Sequence, residues 1–162
     1  MAAILIAIAL QTTVVNLLFR GNVSIDLVLI AVVFVAIKSG PVTGTLAGTV
    51  AGLIQDSLGP GILGIGGMAK TIVGFLSGVL GTQFIVTAPL PRFLLLLVVT
   101  ALHAAIFMGL YMLLNLRQYS SPYPAVAAQA FANAFVGVIT FQLLEWVPGF
   151  VDRRRAGRFL KR

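Results

Sequence analysis

The sequence predicts an all-α integral membrane protein, a bundle of six transmembrane helices with both termini on the cytoplasmic side, and three observations lead there. Hydrophobic residues fill 59% of the 162 positions and charged residues only 9%. That is too little polar surface to cover a water-facing globule, so lipid is the natural solvent. The apolar residues fall into six segments cut by turn-forming clusters, and since a spanning helix uses about 20 residues, six of them consume nearly the whole chain. Lysine and arginine are also distributed unevenly between the connections, as membrane orientation requires.

The first segment, 3–19, begins without a basic n-region, and Asn16-Leu17-Leu18-Phe19-Arg20 offers no small-residue cleavage site. It is therefore read as a retained helix. Arg20-Gly21-Asn22 precedes the second segment, 25–37, which is short for a bilayer and is either extended by its flanks or partly interfacial. Lys38-Ser39-Gly40-Pro41 leads into the third, 41–58, and Ser57-Leu58-Gly59-Pro60-Gly61 into the fourth, 62–87. Pro89-Leu90-Pro91-Arg92 precedes the fifth, 93–116, and the polar stretch 117–124 precedes the sixth, 123–147. No connection is long enough to hold a soluble domain, so the expected organisation is a six-helix transmembrane domain over 1–148 and a basic cytoplasmic tail over 149–162.

An inside N-terminus places Lys38, Arg92, Arg153, Arg154, Arg155, Arg158, Lys161 and Arg162 in cytoplasmic segments and leaves only Arg20 and Arg117 outside. An odd number of helices would break that asymmetry. The net charge of +7 does not point to nucleic acid, because six of the eleven basic residues lie in the last ten positions. Anionic lipid headgroups suit such a tail better: Arg153, Arg154, Arg155, Arg158, Lys161 and Arg162 would meet the headgroups while Phe150, Val151, Phe159 and Leu160 face the acyl region. A cytoskeletal or other cytosolic contact is the rival reading of the tail.

The strongest internal pattern is Gly40, Gly44, Gly48, Gly52 and then Asp56, a step of four along the third segment. Glycine costs about 1 kcal/mol in a helix interior, so its repetition implies close backbone packing of a neighbouring helix. The fourth segment repeats the device with Gly67, Lys70, Gly74, Gly78 and Gly81 on one narrow face. Lys70 thus sits in a small-residue seam, where insertion costs a few kcal/mol unless the ammonium is paired or snorkels. Asp56 closes the third segment at the outer face and Lys70 enters the fourth about one to two turns below it. An Asp56 and Lys70 pair, direct or through water, is the expectation, with Lys70 snorkelling outward as its alternative.

Gln11, Thr12, Thr13 and Asn16 crowd the outer half of the first segment, and Gln129, Asn133 and Gly137 share a face of the sixth. Gln11, Thr12, Asn16, Gln129 and Asn133 therefore either line an outer pocket or make separate interhelical hydrogen bonds. His103, alone in the fifth segment, reads as a packed or hydrogen-bonded residue. No catalysis, metal or cofactor is expected: the chain lacks cysteine, a His-Glu-x-x-His run and a phosphate loop, and Leu76-Ser77-Gly78 is not a nucleophile elbow.

Taken in order, Leu10-Gln11-Thr12-Thr13, Asp26-Leu27, Gly40-Pro41, the stripe from Gly44 to Asp56, and then Gly64, Lys70, Gly74 and Gly78 resemble the MreD family of rod shape-determining inner-membrane proteins. The resemblance spans most of the chain. Ile25 departs from it, since the family often has proline before the aspartate. The resemblance implies a fold like that of the substrate-binding S components of energy-coupling-factor transporters. It also implies MreC as partner, and through MreC a RodA-type glycosyltransferase and a penicillin-binding transpeptidase, with MreB filaments engaged indirectly. The alternative is a vitamin-binding S component, for which Ala3 and Ala7 would offer a small-residue docking surface. An ion carrier using Asp56 and Lys70 is a third class, without a relay of further ionisable groups across the membrane.

Overall fold

The computed structural model describes residues 2–15, 25–59, 61–83, 88–116 and 123–159, with side-chain surroundings described for 4–13, 25–59, 61–83, 88–116 and 123–143. Among the described residues the chain is helical with no strand. Helix α1 (Ala2–Leu10) runs on into a π-helical turn over Gln11–Val15, and α2 covers Leu27–Ser39. Four more helices follow: α3 (Pro41–Leu58), α4 (Ile65–Gln83), α5 (Pro89–Leu113) and α6 (Tyr123–Phe159).

The boundaries have local causes. Asp26 caps α2 by accepting the Leu29 N–H at 2.9 Å. Gly40 ends α2 with φ +86°, a conformation costly for any residue with a Cβ, and Pro41 then opens α3, where its missing N–H is no loss. Gly64, at φ +101°, sets the entry to α4, three residues later than the sequence alone suggests. Helix α5 starts four residues earlier than expected, because Pro89 and Pro91 sit in its first turn rather than before it. Helix α6 continues past Pro148-Gly149, so the basic stretch begins on a helix rather than after one.

Among the described residues three helical stretches are long and apolar enough to cross a membrane, Ile65–Gln83, Pro89–Leu113 and Tyr123–Leu143, while Ile4–Thr13 and Leu27–Ser39 are shorter apolar helices. At 1.5 Å per residue α2 is about 20 Å long, well under the roughly 30 Å of a hydrocarbon core. It compensates by being central. Val28, Leu29, Ile30, Val32, Val33 and Ala36 are all buried, which takes neighbours on every side and explains why α2 is apolar all round. One core unites Ile4, Ala7 and Ile8 of α1 with Val28, Ala31 and Val32 of α2 and Ala47 and Ala51 of α3. The other joins Leu29, Ile30 and Val33 of α2 to Val73, Leu96, Val99, Ala134 and Phe141 from α4, α5 and α6. Phe34 and Phe141 meet edge to face in that second core, with centroids 4.9 Å apart.

Helices α3 and α4 lie antiparallel along the glycine stripe. A Cβ on Gly44 would strike the Gly74 carbonyl, one on Gly48 the Lys70 carbonyl, and one on Gly52 the Cα of Gly67. Gly78 meets the backbone of Pro41, and Gly81 lies against Ile37, with its Cβ position 2.7 Å from that Cα. Thr49 and Thr71 add a hydroxyl contact of 2.8 Å across the seam. Gly40 is the exception: a Cβ there meets nothing within 4 Å, so its glycine serves the turn and not the packing expected for it.

Candidate functional site

The polar residues gather at the end of the bundle where α2 and α4 begin and α3 and α5 finish. Lys70 projects from the second turn of α4 toward α2, and its Nζ lies 2.8 Å from the Asp26 carboxylate, with both side chains almost wholly buried. His103 of α5 completes the cluster, its Nε2 3.2 Å from the same ammonium. An ammonium only donates, so Nε2 accepts and the imidazole proton resides on Nδ1.

The expected Asp56 and Lys70 pair is therefore replaced by Asp26 and Lys70. The cause is the depth and rotation of the helices. Asp56, in the last turn of α3, bends over the start of α4, where its Oδ2 accepts the N–H groups of Gly64 at 2.9 Å and Gly67 at 3.0 Å. A carboxylate at a helix N-terminus satisfies otherwise unpaired donors and complements the helix dipole. Lys70 lies one turn deeper, level with the start of α2, so the acid at its depth is the cap of that helix.

Asp26 is held from both sides of its backbone. Gln11 donates from Nε2 to the Ile25 carbonyl at 2.9 Å and accepts the Leu27 N–H on Oε1 at 2.6 Å. Asn133 of α6 accepts the Asp26 N–H at 2.9 Å and donates to the Thr100 hydroxyl at 3.4 Å. These residues belong to the expected pocket set, but Gln11 and Asn133 act as clamps on the α2 N-terminus. Thr12 bonds back to the Ile8 carbonyl at 3.0 Å on its own helix. Asn16 lies outside the described residues. So do Lys161, Arg162 and the side chains of Arg153, Arg154, Arg155 and Arg158.

A cavity of about 630 Å³ opens beside the cluster, with Asp26, Lys70 and His103 on its wall. Gln55 and Asp56 line it from α3, Phe107 and Tyr111 from α5 and Gln129 from α6. The Phe107 and Tyr111 rings stand 4.9 Å apart, and the Tyr111 hydroxyl accepts the Ile62 N–H at 3.3 Å, tying the α3–α4 connection to α5. Among the described residues no group of three His, Asp or Glu side chains is arranged to hold a metal ion.

Sequence reasoning isolated Lys70 and undervalued Asp26, His103 and Thr100. The available signal was depth: in an antiparallel bundle Gln11, Asp26, Lys70, His103 and Asn133 all fall at the same level of their helices. A family model described as rod shape-determining protein MreD matches residues 1–150. No curated protein and no solved structure matches the chain.

Proposed function

Because the chain belongs to the MreD family of rod shape-determining membrane proteins, we propose that it is a non-catalytic membrane subunit of the bacterial cell-elongation complex that binds MreC and helps organise side-wall peptidoglycan synthesis. The family match over 1–150 carries this reading. Through MreC the chain would stand beside a RodA-type glycosyltransferase and a penicillin-binding transpeptidase, with MreB filaments on the cytoplasmic side. In this reading six helices cross the inner membrane with both termini inside, which puts the cavity and its charge cluster at the periplasmic end. The basic tail then rests on the anionic cytoplasmic leaflet.

The packing supports a scaffold role. Backbone contact along the α3–α4 seam leaves little room for relative movement, as a subunit that positions others requires. Large apolar side chains remain uncovered on the outside of α6, with Phe131, Phe135, Ile139 and Leu143 at helical spacing, available to lipid or to a partner helix.

Affinity purification of the tagged full chain from the membranes of a rod-shaped bacterium, with mass spectrometry of what accompanies it, tests the proposal. MreC should co-purify, and depletion of the chain should round the cells. Recovery of ATPase transporter subunits in place of MreC would overturn it in favour of a solute-binding subunit.

A further inference from the structure

The cavity at the charged end is lined by polar atoms that remain after the protein has made its own hydrogen bonds. Lys70 carries three N–H donors, of which Asp26 takes one and His103 another. The third has no partner among the described residues, and neither does the His103 Nδ1–H. Both are therefore unused donors, on α4 and α5. The unused acceptors are on α3: the Gln55 Oε1 is buried without a donor, and Asp56 spends Oδ2 on two backbone N–H groups while Oδ1 accepts none among the described residues. All four residues line one cavity of about 630 Å³, within the range of small-molecule sites.

We propose that this cavity binds a zwitterion of the phosphoethanolamine class. Its primary ammonium donates to Gln55 and Asp56, and its phosphate oxygen accepts from Lys70 and His103. The separation of donors from acceptors favours a zwitterion over either ion. Among the described residues Lys70 and His103 offer donors on one wall and Gln55 and Asp56 acceptors on the other, so a lone anion would leave the α3 acceptors unpaired and a lone cation the donors, whereas a group carrying both charges satisfies each wall. Two sources supply this chemistry, the headgroup of a phosphatidylethanolamine lipid and a free soluble zwitterion. Occupancy of the cavity does not depend on the binding of MreC.

Native mass spectrometry of the full chain from nanodiscs of phosphatidylethanolamine, phosphatidylcholine and phosphatidylglycerol tests it. Choline carries the same positive charge as ethanolamine but no N–H donor, so the comparison isolates the hydrogen bonds. The parent chain should retain phosphatidylethanolamine about tenfold over phosphatidylcholine, the scale of one charge-assisted hydrogen bond. Gln55→Leu, or Ala104→Phe to fill the cavity, should abolish that preference, and Leu94→Ala on the outside of α5 should preserve it. Displacement of the lipid by millimolar glycerophosphoethanolamine would identify the soluble zwitterion as the source, and resistance to it the lipid. Equal retention of the two zwitterionic lipids by the parent chain, or a preference for phosphatidylglycerol, would overturn the proposal even if neither cavity variant folds.

Discussion

The α3–α4 seam and the charged end of the bundle are built from opposite materials, glycine in the first and ionisable groups in the second. At Gly44, Gly48 and Gly52 of the seam the backbones meet directly, so each of these contacts depends on the absence of a side chain. At the charged end every contact runs through a side chain, and each group depends on a partner from another helix. The seam is intolerant of addition and the cluster of subtraction. Damage to the seam should therefore grow with the volume added, while damage to the cluster should grow with the charge left unpaired.

The largest effect is expected in the seam. Gly48→Leu places a branched side chain where the Lys70 carbonyl stands, and the protein should fail to appear as a monodisperse species in detergent. Gly52→Ala is milder yet still strikes the Gly67 Cα, so its unfolding midpoint should fall by the equivalent of about 1–3 kcal/mol. A Gly52→Ala chain as heat-resistant as the parent would break the contrast.

Next comes the buried pair. Lys70→Met strands the Asp26 carboxylate in the core and should cost about 3–5 kcal/mol, whereas Asp26→Asn with Lys70→Met should recover part of that loss, since asparagine still accepts from Leu29. Thermal unfolding of the two single variants and the double gives the coupling energy. The same cycle between Asp56 and Lys70 should return a smaller coupling, because Asp56 is engaged with backbone N–H groups. Equal couplings would restore the pairing first suggested by the sequence.

Asn133→Leu should be weaker again, about 1–3 kcal/mol, the cost of leaving the buried Asp26 N–H without an acceptor. Smallest is Asp56→Ala, which removes a cap of α4 near the half-exposed rim and should cost about 1 kcal/mol. Asp56→Asn should recover most of it, as a difference in melting midpoint between the two variants would reveal.

These contrasts also explain what the sequence made legible. The helices and their glycine face follow from local periodicity, because a step of four along 44–52 meets a matching face on α4 in any antiparallel hairpin. Lys70 announced itself as a charge in an apolar run. Its partner did not, since Asp26 and Asp56 lie at the same end of the bundle and only helix rotation and a one-turn difference in depth choose between them. The link from Asn133 to Asp26 crosses 107 positions and has no local signature at all. Gly40 misled for the opposite reason: it continues the spacing of the stripe while serving a turn.

The central position of α2 has a consequence for the order in which the chain is made. Helices emerge from the ribosome one after another, and α2 is the second while its neighbours include the last. Asp26 is therefore made before Lys70 has been synthesised, and its backbone N–H waits until α6 brings Asn133. Until then α2 is an under-length helix with an unneutralised acid at one end. A ribosome-bound intermediate halted after α3 should hold that end in water or against the translocation machinery, and only the arrival of α4 would release it into the bundle.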